Sequence, residues 1–199
     1  MPKIVEATVA EHRAARRAAL LDAAVTLLHE RPEEIPGLAA VGKRAGLSRS
    51  SVYHYFSSRE DLLAQVVEHT FPRWEQRFQA AYAAEPTSAG RVRAFVRENI
   101  GLVSDGEHAL ARTLAAIAPA EHMGRHSADF HQRLVEPLTE ALAEIGSTDA
   151  ELTAQLVNAL VHSGARQVES GADAHAVMAG ILEILDPYLA ARGDTASSI

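Results

Sequence analysis

Apolar residues recur every three to four positions along almost all of this 199-residue chain, and no stretch alternates with the two-residue period of a strand. Leu20, Ala24, Leu27 and Leu28 mark one face of a first predicted helix, roughly residues 10–30. The run Arg31-Pro32-Glu33-Glu34-Ile35-Pro36 ends it and leads to a short helix starting near Gly37. Leu38, Val41 and Ala45 recur at helical spacing on that short helix. Gly46 then stands where a helix stop needs a residue tolerant of positive φ, and Leu47 is placed to plug the corner. Ser48 is placed to accept hydrogen bonds from the free N–H groups of the next helix. The run from Leu38 to Phe56 therefore predicts a helix, a tight turn and a second short helix.

Further along, Ser57 followed by Glu60 has the spacing of a capping box and opens a long helix with Leu62, Leu63, Val66 and Val67 inward. Pro72 has no N–H to donate, which predicts a kink or a break near residues 68–71. Trp74, Phe78 and Tyr82 follow at helical spacing, and Glu85-Pro86-Thr87-Ser88 reads as a loop. Val92, Phe95, Val96, Ile100 and Val103 line the next helix, which Ser104-Asp105-Gly106 ends. Leu110, Leu114 and Ile117 mark a shorter helix up to Pro119. Phe130, Leu134, Leu138, Leu142 and Ile145 mark a long one interrupted by Pro137. Thr148 with Glu151 predicts a second capping box and a helix to about Ser170. Asp173 can cap the last helix, whose stripe is Met178, Ile181, Leu182, Leu185 and Leu189, and the tail from Arg192 onward is expected to fray. The result is an all-α chain of about nine helices, with a three-helix module at the amino end and a bundle behind it.

Beside their leucine stripes, the last two predicted helices carry small residues: Ala159, Ser163 and Gly164 on one, Ala176, Ala179 and Gly180 on the other. Close approach of helices inside one chain and pairing between two chains account for these positions equally well.

Composition narrows the class. There is no cysteine, which removes disulfides, thiolate metal sites and cysteine nucleophiles. No stretch approaches the roughly 20 apolar residues that span a bilayer, and no signal-peptide pattern opens the chain, so a cytoplasmic protein is expected. The net charge of −7 is unevenly placed. Residues 1–60 hold nine Lys/Arg against seven Asp/Glu, a net +2, whereas residues 61–199 hold ten against nineteen, a net −9. An acidic bulk repels phosphate, so only the amino-terminal part is suited to face a duplex.

Ala45-Gly46-Leu47-Ser48, Val52-Tyr53-His54-Tyr55-Phe56 and Arg59-Glu60-Asp61-Leu62-Leu63 resemble, in order and spacing, the signature of tetracycline-repressor-like (TetR family) regulators. Leu20-Leu21-Asp22-Ala23-Ala24 and Leu27-Leu28 fall at the family's spacing upstream, so the resemblance covers roughly residues 10–65. It implies a DNA-binding module over residues 1–58 and an effector-binding and dimerisation domain over 59–199, with the long connecting helix starting at about 59. It also implies a homodimer joined by the last two helices, a double-stranded DNA operator and a small-molecule effector. In this reading Ser48, Arg49, Ser50 and Ser51 open the recognition helix and approach base edges, while Tyr53, His54 and Arg59 match phosphate-gripping positions. Lys43, Arg44, Arg13, Arg16 and Arg17 are further charges near the expected duplex, of which Lys43 is counted as a contact; Arg44 has Glu30 and Glu33 as rival partners. Departures from the pattern are Pro36-Gly37 in place of a capping hydroxyl, Gly42 where alanine is usual, and Pro32-Glu33 in place of a glycine-aromatic pair.

Candidate chemistry elsewhere is sparse. Trp74, Phe78, Phe95, Met123, His126 and Phe130 are candidates to contact an effector, although an aromatic stripe is also what plain core looks like. His122 and His126 lie one turn apart beside Glu121, a spacing that suits zinc or nickel with His131 or His108 completing the shell. Solvated or pocket-lining histidines fit as well, and no metal or cofactor is assigned. No nucleophile elbow or phosphate-binding glycine loop is present, which argues against an enzyme. The other function considered is a helical ligand-binding or scaffold protein that has lost DNA binding, with Pro36-Gly37 as the scar.

Overall fold

The computed structural model describes residues 3–31, 34–117 and 120–196, with side chains over 9–31, 34–117 and 132–192. Among these residues the chain is helical, with no strand. The elements are α1 (Lys3–Glu30), α2 (Leu38–Arg44), α3 (Arg49–Val52), α4 (Arg59–Ala83), α5 (Ser88–Ser104), α6 (Glu107–Ile117), α7 (Ala120–Glu144), α8 (Ala150–Glu169) and α9 (Ala174–Ala196). They form two compact units. One holds the chain through Thr70 together with Ala109–His126; the other holds Phe71–His108 and the chain from Ser127 onward. The helix α4 contributes residues to both.

In the first unit α2 packs on α1 and α3. Leu20, Leu21, Ala24 and Leu28 of α1 are buried together with Val41, Val52 and Phe56, and with Leu62, Leu63, Val66 and Val67 of α4. Polar links tie α1 to α4 as well: the Arg17 guanidinium donates to Gln65 Oε1 at 2.8 Å, and His69 Nε2 lies 2.9 Å from Asp22 Oδ1.

In the second unit α5 packs on α8 and α9, and α8 packs on α9. The α5 stripe of Val92, Phe95, Val96, Ile100 and Val103 is buried, as the pattern predicts. Arg77 of α4 donates to Glu98 and to Asp105, both at 2.6 Å, and Arg93 joins α5 to Asp186 of α9 at 2.7 Å. The Tyr82 hydroxyl donates to the Leu134 carbonyl at 3.1 Å, and burial pushes this phenol above its ordinary pKa.

Several expectations are corrected. Pro137 does not interrupt α7, and of the two outcomes expected at Pro72 the break is ruled out, since α4 runs through it. A helix-interior proline costs roughly 3 kcal/mol. Burial on both sides offsets it: Val66 and Val67 precede Pro72, Phe71, Trp74 and Phe78 surround or follow it, and Leu134 and Leu138 flank Pro137. Neither expected capping box forms, and the side chain that caps each helix lies one residue later than the sequence pattern placed it. Ser58, not Ser57, accepts from the Asp61 amide at 3.1 Å, and Asp149, not Thr148, accepts from the Leu152 amide at 2.9 Å. At Asp149 a carboxylate meets the positive end of the helix dipole more favourably than a hydroxyl would. Asp173 caps α9 as expected, accepting from the Ala176 amide at 2.8 Å.

The end of α9 is the remaining correction. Instead of fraying at Arg192 it continues to Ala196, and Arg192 stacks on the Tyr188 ring with its guanidinium 4.6 Å from the centroid. The segment Ala174–Arg192 has a mean hydropathy of 1.2, so by length and composition it reaches the threshold for a membrane span that no stretch was expected to approach. Its Ile181, Leu185 and Leu189 are buried in the second unit, and Asp186 is paired with Arg93. Only 17% of the segment is buried, so this helix packs along one side and leaves an apolar outer face.

Candidate nucleic-acid interface

The turn between α2 and α3 is built from backbone bonds that the sequence places well. Ala45 caps α2, Gly46 takes φ 71°, and Leu47 N–H reaches back to the Gly42 carbonyl at 2.8 Å while Gly46 N–H bonds Lys43 O at 3.3 Å. This pair of bonds satisfies the last carbonyls of α2, and the positive φ there suits a residue without a Cβ. Ser48 then caps α3, its Oγ accepting from the Ser51 amide at 3.2 Å. Gly37 caps α2 without any side-chain bond, so the hydroxyl missing from the sequence is missing from the geometry too. The helix forms regardless, because Leu38 and Val41 bury on its inner side.

Gly42 marks how closely the two helices approach. A Cβ there would lie 2.6 Å from Val52 Cγ2 and 3.1 Å from the Leu47 carbonyl oxygen. The sequence suggested only a softer helix at this position; the structure gives the glycine a packing role. Val52 is wholly buried and anchors α3 from within, and Phe56 just beyond it is wholly buried too. The regular helix covers only Arg49–Val52, and Tyr53–Tyr55 continue as turn.

These inner anchors leave the predicted contact residues outside. Lys43, Ser48, Arg49, Ser50, Tyr53, His54 and Arg59 are exposed and Ser51 is half-buried. Arg49 lies along Tyr53: its Nη2 donates to the phenolic oxygen at 3.5 Å and its Cζ sits 5.9 Å from the ring centroid. The hydrogen bond to Tyr53, together with the Coulombic attraction to that group, holds the Arg49 pKa above its ordinary value. Tyr53, 49% exposed, is the large aromatic face beside it.

The neighbouring charges separate by partner. Arg44 pairs with Glu30, and its other candidate partner, Glu33, lies outside the described residues. Arg17 is held by Gln65, and Arg13 reaches the end of α3, its Nη2 donating to the His54 carbonyl at 3.4 Å and its Cζ 5.9 Å from the Tyr55 ring centroid. Sequence reasoning missed this brace. Its partners are 41 residues apart, and nothing local marks them.

Behind the interface, Asp61 locks the start of α4. Its carboxylate accepts from the Ser57 amide at 2.7 Å, the Ser57 hydroxyl at 2.9 Å and Gln65 Nε2 at 2.7 Å. Burial pushes this carboxyl up, but the Ser57 amide, Gln65, the Ser57 hydroxyl and the nearby Arg17 charge outweigh it, and the net shift is downward.

The candidate effector residues are partly in view. Phe78 and Phe95 are buried core, 6.3 Å apart between ring centroids. Trp74 is buried against Phe71 and donates its indole N–H to Glu107 Oε2 at 2.9 Å. Met123, His126 and Phe130, like His122 and His131, lie outside the described side chains. His108 has a carboxylate neighbour, with Nδ1 3.9 Å from Glu169 Oε1. Two cavities in the second unit are bounded by described residues. One, of about 700 Å³, lies between α7 and α8 beside Val135, Thr139, Gln155 and Asn158; the other, of about 560 Å³, lies near Arg97, Ile100 and Met178.

Comparison with known proteins agrees with this geometry. The profile of the bacterial regulatory proteins, tetR family, matches residues 20–66, which span the end of α1 through the start of α4. The HTH-type transcriptional regulator BetI of Burkholderia ambifaria is 30% identical over 162 residues, covering 80% of this chain and 77% of that protein. Solved structures share the fold at lower identity. AibR in complex with isovaleryl coenzyme A and operator DNA has a TM-score of 0.65 at 18% identity, over 85% of this chain and 97% of that one. FadR from Bacillus subtilis in complex with stearoyl-CoA has a TM-score of 0.62 at 18% identity, over 84% and 96%. A relative this similar over most of both chains, together with the match of the family profile to the helix-turn-helix, places this chain in the tetR family of bacterial regulatory proteins, as a DNA-binding transcriptional regulator.

Proposed function

We propose that the chain acts in the cytoplasm as a homodimeric repressor that a small-molecule effector releases from a near-palindromic operator. The observation that carries this reading is the exposed set Ser48, Arg49, Ser50, Tyr53 and His54, held outward by the Gly46 turn and by buried Val52. Residues 1–58 form the DNA-binding module, in which Ser48, Arg49, Ser50 and Ser51 meet base edges in the major groove and Lys43, Tyr53, His54 and Arg59 hold phosphates. Residues 59–199 serve the effector and the dimer.

The apolar face left open on the last two helices supports pairing with a second copy. Leu152 and Leu156 of α8 are 51% and 62% exposed, and Ile184 of α9 is 63% exposed. Exposed large apolar side chains on two helices that pack on each other suit an interface. Of the small residues, Gly164 is spent inside the chain, since a Cβ there would lie 2.7 Å from Ile181 Cδ1 and 2.9 Å from Val177 Cγ1. Gly180 has open space around it, and Ala159, Ala176 and Ala179 are exposed, which leaves them for the partner. Such a dimer sets its recognition helices about 34–36 Å apart, one turn of DNA.

The bound acyl-coenzyme A molecules of AibR and FadR support an effector for this chain as well, and Trp74, Phe78 and Phe95 are the described residues assigned to its site. Release requires only that the effector bind one dimer state more tightly than the other.

The test uses two variants and the duplex upstream of the chain's own reading frame. Arg49→Ala relaxes discrimination between sequences by about 1–3 kcal/mol, whereas Tyr53→Phe weakens binding to all sequences alike. Operator affinity unchanged in both variants rejects the site assignment.

A further inference from the structure

Val9, His12, Arg13 and Arg16 fall on one face of α1 at i, i+3, i+4 and i+7, and together with His54 and Tyr55 they line a groove of about 440 Å³. Among the described residues that line it, none is acidic. Two cations enter it, and they differ in what already holds them. Arg13 is committed to the end of α3 through the His54 carbonyl and the Tyr55 ring. Arg16 is exposed and has no partner among the described residues; His12, one turn before it, is likewise exposed and unpartnered there. The His54 ring stands exposed on the opposite wall. A groove whose described lining presents an unpaired guanidinium and two imidazoles, and no carboxylate, is suited to an anion. Because its second wall is the turn that ends α3, an anion seated there lies beside the residues that read DNA, not among them.

We propose that this groove is a second backbone-binding subsite, in which Arg16, flanked by His12 and His54, takes a phosphodiester of the duplex outside the base pairs read from α3. The assignment rests on the DNA-binding reading above and adds α1 to it. A phosphate contact positions the protein without specifying sequence, and each one releases counterions on binding. Arg16 therefore contributes equally to operator and unrelated DNA, and its contribution shows in the salt dependence.

The experiment measures affinity of the full chain for the duplex upstream of its own reading frame, and for an unrelated duplex of equal length, across a salt series. In Arg16→Ala the slope of log affinity against log salt falls in magnitude by about 0.9, so the loss between about 50 and 200 mM salt is roughly threefold smaller. Both duplexes weaken by the same factor at low salt, and Arg16→Lys keeps the wild-type slope. An unchanged slope and affinity in Arg16→Ala, with a wild type that binds, overturns the subsite alone. A loss confined to one sequence overturns it too, since that is base readout. A wild-type chain that binds neither duplex overturns the DNA-binding reading and the subsite with it.

Discussion

Replacing Gly42 with alanine sets helix propensity against packing, and the structure says which wins. In an exposed helix the change gains about 1 kcal/mol. Here the new methyl would stand 2.6 Å from Val52 Cγ2 and 3.1 Å from the Leu47 carbonyl oxygen, both inside normal contact. Neither neighbour yields easily. Val52 is wholly buried with a stiff β-branched χ1, and the Leu47 carbonyl belongs to the turn that sets the angle between α2 and α3. Overpacking of this kind costs about 1–3 kcal/mol, so Gly42→Ala is net destabilising by roughly 1 kcal/mol. For a chain of this length that is a fall in Tm of about 2–4 °C. Operator affinity falls with it, because α3 must tilt away from α2 to make room. The assay is thermal unfolding with DNA titration, run on Gly42→Ala, Val52→Ala and the double variant. In the Val52→Ala background the 2.6 Å contact is gone and only the approach to the Leu47 carbonyl remains, so most of the cost is lost while the propensity gain stays, giving a coupling between the two sites of about 1–2 kcal/mol. A Gly42→Ala chain more stable than wild type, or one whose cost is the same with and without the valine side chain, refutes the close-packing account.

Two further outcomes follow from the caps and the open helices. Asp61 has a lowered pKa in the folded chain, so its contribution to stability is fully present above the unfolded-state value near 4 and is lost as pH falls through the folded value. Asp61→Asn is therefore less stable than wild type at neutral pH, and denaturant titrations show the gap narrowing below about pH 4; a constant gap at every pH refutes the assignment. Leu156→Glu, at a site 62% exposed on α8, leaves the melting of the isolated subunit nearly unchanged but splits the proposed dimer. Sedimentation of this variant as a dimer of wild-type affinity removes α8 from the interface.

Where a feature depends on neighbours within a turn or two, the sequence displayed it. The Gly46 stop, the Ser48 cap, the Asp173 cap and the α5 stripe all arise from bonds or burial set by residues a few positions apart. The capping acceptor falls one residue later than the box pattern placed it because Ser57 and Ser58, or Thr148 and Asp149, are adjacent acceptors. Only the path of the incoming chain decides which one faces the free amides. The interruption expected at Pro137, and the break that was one of two outcomes at Pro72, fail for a related reason: a local rule reports the lost bond but not the burial on either side that offsets it.

The linear order of residues determined that this chain is all helical, that its amino-terminal third carries a helix-turn-helix, and that Ser48–Tyr53 is its polar edge, because periodicity and turn chemistry are written into neighbouring residues. Tertiary structure alone decided which charges remain available. Arg44, Arg17 and Arg13 are taken by Glu30, by Gln65 and by the end of α3, and Arg16 is left open. It also decided that Gly42 and Gly164 serve contacts inside the chain while Gly180 faces outward. Such choices depend on which side chains from distant segments come within a few ångströms, and no spacing along the chain encodes that distance.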